Sequence, residues 1–277
     1  MELLKFNSNR KLNSDNLINF SKIAIIIVVS SYFVIGTIPY YEATDGFHYA
    51  IVGINLINGS YEYTNDFLQN SDDNEFISAA WGKTINNSLV PGTSPGLPAL
   101  AAFSYYLAGT YGLFYLGPIM GITYLIVTER IATKLFGSKV GLITLIFLSM
   151  NANILMSGQD LMTELLFSSF LILGCYYLII FLQNKNEKHV LMCSLFFVFA
   201  AFVRLNGIPF LPAELLILTS FFLYQSYAKK PKGIISKRSI YFLNSARKLA
   251  LKKKFRVVLF ISLPWIVFLP TFVLREK

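Results

Sequence analysis

Four ionisable side chains stand at the edges of long apolar runs, where charge is costly and calls for a reason: Asp45, Asp160, Glu164 and Arg204. Asp45 lies in Glu42-Ala-Thr-Asp-Gly-Phe-His-Tyr49, just after the first apolar run. A carboxylate held at an interface can act as a general base on an acceptor hydroxyl or amine. A nearby arginine would help to keep it ionised. The alternative for Asp45 is a helix N-cap for the segment that follows. Glu164 falls in Leu161-Met-Thr-Glu164. There Asp160 and Thr163 would cap a helix, and Glu164 would occupy its first turn, where the positive helix end favours a carboxylate. Arg204 ends the run Phe196-Phe-Val-Phe-Ala-Ala-Phe-Val203 and precedes Leu205-Asn206-Gly207. Its planar fork of donors suits a phosphate, and a pairing with Glu164 is the structural alternative. His48 reads as a surface aromatic and His189 as a loop residue.

Other chemistries find no support in the sequence. There is no HExxH, no paired CxxC, no phosphate-binding glycine loop and no dinucleotide fingerprint. Asp72-Asp73 reads as a solvated turn. Cys175 and Cys193 sit inside apolar runs, where a free cysteine behaves as a small buried apolar residue. No metal site and no cofactor is required.

The elements that must position these groups are membrane helices. Of 277 residues, 55% are apolar and only 14% charged, against about 25% charged in soluble domains. The aromatic content of 16% suits helices that meet lipid and its interfaces. The net charge of +9 does not point to nucleic acid, because it is concentrated. Between Lys229 and Arg256 eleven Lys and Arg residues stand without one acid, flanked by apolar runs. That is a cytoplasmic loop obeying the positive-inside rule, in contact with anionic lipid.

The expected architecture is an all-α integral membrane protein with about seven transmembrane helices. Amphipathic juxtamembrane helices are expected in its first outer loop. Residues 1–22 form a polar cytoplasmic N-terminal segment, and 23–277 a single membrane module. Apolar runs lie at 23–41, 94–108, 112–135, 138–156, 160–183, 188–204, 207–227 and 257–274. The loop 42–92 is acidic, as an outer loop would be, and Phe47, Ile51, Ile54 and Ile57 recur in it at helical spacing. Asn58-Gly-Ser60 and the Asn86-Asn87-Ser88 stretch read as N-glycosylation acceptors. The segment 94–108 is short for a span, which needs about 20 residues. Charge decides its status. If it crosses, the basic loop 228–256 falls outside. If it is re-entrant or interfacial, that loop falls inside, and the junctions holding Asp160, Glu164, Arg204 and Asn206 join Asp45 on the outer face.

The order of motifs adds to this. After one span come Asp45-Gly-Phe-His-Tyr49 with Gly59-Ser-Tyr61, then Pro95-Gly-Leu-Pro98, Ala132-Thr-Lys-Leu-Phe-Gly137, Met162-Thr-Glu164 and Arg204-Leu-Asn-Gly207. The set resembles the N-terminal module of the GT-C superfamily of membrane glycosyltransferases. It is most similar to the branch of protein mannosyltransferases and lipid A aminoarabinose transferases. The resemblance implies transfer of a sugar from a polyprenyl-phosphate carrier to a protein, lipid or glycan acceptor on the extracytoplasmic face, with inversion. It implies an integral protein of plasma-membrane or endoplasmic-reticulum type with its N-terminus in the cytoplasm. Asp45 matches the family's acid in the first outer loop, and Glu164 a second acid at the outer end of a later span. Arg204 and Asn206 fall where the family places groups near the carrier phosphate. Asp160, Glu42 and Tyr49 are the neighbours expected to bind substrate. In some relatives a divalent cation bridges such acids and the phosphate. Gly92-Thr-Ser94 stands where many members have Lys or His, and Gly46 where an acid commonly follows the first. Family enzymes usually continue past the equivalent of Lys277, so a non-catalytic accessory subunit, working with a partner chain, or a truncated fragment is the second expectation. A transporter is the third; it would need polar groups along a path through the membrane, which this reading does not find.

Overall fold

The computed structural model describes residues 2–37, 44–60, 82–85, 88–91, 94–228, 261 and 264. Glu42, the tip of the acidic loop, the basic loop from 229 to 256, the asparagines at 86 and 87 and most of the run 257–274 lie outside the described residues. Two compact units divide the chain, Met1–Ile172 and Leu173–Lys277.

Helices dominate, as the apolar runs demand. In the first unit α1 (Glu2–Ile35) is followed by α2 (Thr44–Ile57). A short hairpin of β1 (Gly82–Ile85) and β2 (Ser88–Pro91) comes next, paired antiparallel from Gly82–Pro91 to Ile85–Ser88. It is a small departure from the all-α expectation. Then come α3 (Gly96–Phe136), α4 (Ser138–Ser149) and α5 (Ala152–Ser157). The helix α6 (Thr163–Asn184) crosses the division, and α7 (Glu187–Val203) and α8 (Phe210–Ala228) belong to the second unit.

Among the described residues three helices are long and apolar enough to span a bilayer: Asp15–Ile35, Gly96–Phe136 and Thr163–Asn184. The expectation of seven is thus met only in part. The run 138–156 is not one helix. It breaks at Met150, and Asn151 caps α5 by accepting the Ile154 N–H at 3.3 Å. A polar cap inside an apolar run satisfies donors that would otherwise face lipid.

The 41-residue α3 is two helices across a break. Ala108 is non-helical, and Gly109 takes φ 60° and ψ −146°, a region open to glycine alone. The chain folds back there. Gly112 presses on Ser104, whose carbonyl would overlap any Cβ at 112. In a straight helix eight residues would separate these groups by about 12 Å. The result is a hairpin with a short arm, 96–107, and a long arm, 110–136.

Two contacts along α1 give the directions of its neighbours. Lys22, past its middle, reaches Thr133 and Ser138; Phe33, near its end, packs against Gly121 and Gly158. The long arm therefore runs antiparallel to α1, and α4 runs parallel to it. Val29, Phe33, Leu125 and Leu145 form the buried core between them. A helix, α2, forms over the expected segment, but its packed face is Tyr49, Val52 and Gly53 rather than the isoleucines. Gly53 meets the short arm, with Ala101 Cβ 2.8 Å and Pro98 O 3.0 Å from the place a Cβ would take. Ile51 and Ile54 are half-buried and Ile57 exposed. His48 is buried at 4% exposure with its ring edge-on to Tyr49, which corrects its reading as a surface residue.

In the second unit a tight loop at Lys185 and Asn186 joins α6 to α7, with Lys185 at φ 55° and the Asn186 side chain accepting the Lys188 N–H at 3.1 Å. His189 is not a loop residue. It lies in the first turn of α7, stacked on Tyr177 at 5.9 Å. Phe196 also stacks on Tyr177, at 5.5 Å.

Candidate functional site

The helix α2 begins at Thr44, so Asp45 occupies its first turn. Tyr49, one turn later, is buried at 7% exposure. The junction 157–164 carries the two other acids. The backbone of Asp160 lies against Gly117 on the long arm, so close that only glycine fits there. Gln159 next to it donates to the Tyr32 carbonyl at the end of α1, at 3.3 Å. The junction is thus fastened to two helices by its main chain and a neighbouring amide.

Asp160 is half-buried and its Oδ1 accepts the Leu161 N–H at 2.7 Å. Thr163 is buried and donates its hydroxyl to Glu164 Oε2 at 3.2 Å. Glu164 itself is exposed in the first turn of α6. Leu161 and Leu165, each next in sequence to one of these acids, line a narrow apolar crevice with Leu97, Leu116 and Met120. Leu97 comes from the short arm, so the hairpin of α3 supplies both walls on that side.

In the second unit Arg204 ends α7 in extended backbone, φ −144° and ψ 132°, and its N–H donates to Ala200 O at 2.9 Å. Its side chain is half-buried. Asn206 is exposed in the 3₁₀ turn Leu205–Gly207, which tucks Gly207 against Ala201. Asp160 and Glu164 are therefore brought to one junction of the first unit, and Arg204 and Asn206 to one turn of the second.

Two buried carboxyl groups escaped the reading of the sequence. Glu129, 6% exposed, forms an ion pair with Lys22 at 2.6 Å. Thr133 donates to the same Oε1 at 2.5 Å, and the Lys22 ammonium donates to Thr133 at 2.8 Å and Ser138 at 2.9 Å. Gly141 of α4 closes over the group, with Glu129 Oε1 2.9 Å from where a Cβ would stand. Lys22 is therefore not part of a solvated leader. Glu214, 1% exposed in α8, faces Ser194 of α7. It is an embedded polar group of the kind the transporter argument found missing. A lone acid in the run from Phe210 to Phe221 was the available signal.

No curated protein and no solved structure matches the chain. Residues 92–242 match the family model described as dolichyl-phosphate-mannose-protein mannosyltransferase, which is a GT-C family domain. The match takes in the α3 hairpin, Asp160, Glu164, Arg204 and Asn206, more than half of the 277 residues, and the chain belongs to this family of membrane glycosyltransferases.

Proposed function

We propose that the chain transfers a sugar from a polyprenyl-phosphate carrier to an acceptor on the extracytoplasmic side of a membrane, inverting the anomeric centre. The family match over 92–242 carries this reading, because it spans four of the residues assigned to the substrate. Asp45 takes the proton of the acceptor hydroxyl. The freed oxygen attacks the anomeric carbon, and the bond from that carbon to the phosphate oxygen breaks. The electron pair leaves with the carrier phosphate, whose growing charge meets Arg204 and Asn206. Charge fixed in advance at the departing oxygen is the largest catalytic contribution expected in such a site. Asp160 and Glu164, with Glu42 and Tyr49, hold the sugar hydroxyls. A phosphate is already a good leaving group, so no nucleotide is consumed.

The antiparallel course of α1 and the long arm supports the orientation this requires. If α1 runs outward, the long arm runs inward and the short arm stays on the outer side. The junction 157–164 then lies outside, and the basic loop 228–256 inside, as the positive-inside rule asks.

The test uses the full chain in lipid nanodiscs with radiolabelled polyprenyl-phosphate mannose as the probe donor. Release of polyprenyl phosphate and labelling of acceptors in a membrane extract are followed. Asp45→Asn should slow turnover by about 100-fold or more, the usual contribution of a general base. Unchanged turnover in Asp45→Asn removes the base assignment. Failure of the wild-type chain to turn over any polyprenyl-phosphate hexose leaves the accessory-subunit reading in its place.

A further inference from the structure

The second unit holds a polar group that the transfer reaction does not use. Ser194 Oγ lies 3.1 Å from Glu214 Oε2 and 3.0 Å from the carbonyl oxygen of Ile261. A serine hydroxyl has one hydrogen. The Ile261 carbonyl can only accept. If Glu214 were a carboxylate it too could only accept, and one hydrogen would serve two acceptors. Its second oxygen, Oε1, would be worse placed, being buried with no hydrogen-bond partner among the described residues. Among the described residues no Lys, Arg or His forms an ion pair with Glu214. It lies beyond the first turn of α8, out of the range over which a helix end favours an anion. Among the described residues the titratable group facing it is the Cys193 thiol, a weak donor. A bare charge in such surroundings is among the costliest states a side chain can take.

We propose that Glu214 is a resident proton-binding site: it is held as the neutral acid, and its O–H donates to Ser194, whose own O–H donates to the Ile261 carbonyl. The chain of two hydrogens runs in one direction and leaves neither short contact without a proton. It joins three segments, α8 through Glu214, α7 through Ser194 and the segment holding Ile261, all within the second unit. The last of these follows the basic stretch in sequence. The proton is therefore the clasp that holds it to the α7–α8 pair.

Infrared spectroscopy of the full chain in nanodiscs at neutral pH tests this, comparing unlabelled protein with protein carrying carboxyl-¹³C glutamate. The expected result is a carboxylic-acid C=O stretch that shifts with the label, disappears in Glu214→Gln and moves in Ser194→Ala. If no label-sensitive acid band exists, or if it persists in Glu214→Gln, the proton is not on Glu214. Should Glu214→Gln fail to fold, Ser194→Ala decides alone, since a band indifferent to the loss of that hydroxyl overturns the assignment.

Discussion

Glu129 and Glu214 are the same residue type, each almost wholly removed from solvent, at 6% and 1% exposure. The first unit resolves the problem with a countercharge: Lys22 meets Glu129 at 2.6 Å, and two hydroxyls take up the remaining donors and acceptors. Among the described residues the second unit pairs no cation with Glu214 and resolves the problem with a hydrogen. The difference lies in what the neighbouring helices bring. Lys22 stands on α1 where α3 and α4 meet, so a charge pair ties three helices. Among the described residues the groups facing Glu214 are the Cys193 thiol and the Ser194 hydroxyl, itself 3.0 Å from the Ile261 carbonyl, and a neutral acid is compatible with them. A buried carboxyl is thus not one kind of site, and its partners determine what it can do.

One substitution made twice separates the two cases most sharply. Glu129→Gln leaves the Lys22 ammonium buried without its counterion and should destabilise the protein by about 3–5 kcal/mol. The same change at Glu214 replaces one neutral group by another of similar shape and should cost less than about 1 kcal/mol. Unfolding in mixed micelles measures both, and equal losses would erase the distinction. The double substitution Lys22→Met with Glu129→Leu should recover most of the stability lost by Glu129→Gln, because replacing a whole buried pair is often neutral. Ser194→Ala should cost about 1 kcal/mol, the ordinary value of a hydrogen bond between membrane helices. A much larger loss would mean that the hydroxyl shields a charge.

The helices of the second unit were readable from apolar runs alone. The expected 160–183, 188–204 and 207–227 became Thr163–Asn184, Glu187–Val203 and Phe210–Ala228. The edges moved by at most three residues because capping decides them, as Asn186 does for α7. The break at Gly109 had a residue-level signal and lies where the runs 94–108 and 112–135 were separated. The break at Met150 had one too, in Asn151, but a single polar residue within an apolar run was outweighed by the run. Nothing local could show the Lys22 cluster, since Lys22 and Thr133 are 111 positions apart. Each looked like the polar end of its own helix. Attention to the ends of runs is also what passed over Glu214, which stands within one. Of the candidate site, the residue types and the 157–164 junction were legible. The tethering of that junction by Gly117 and Gln159 was not, because it depends on which helix lies alongside.

The break in α3 bears on how the polypeptide can be threaded at all. An uninterrupted helix of 41 residues would be about 60 Å long, twice the thickness of a bilayer's hydrocarbon. Gly109 turns that rod into two unequal arms. The shorter, about 18 Å, is too short to reach from one surface to the other, and the longer is long enough. By length, only the longer arm can cross, and a single crossing there would set the side of every later loop. A single glycine, far from any charge, would hold the same vote over the threading of the chain as the eleven cations that follow it.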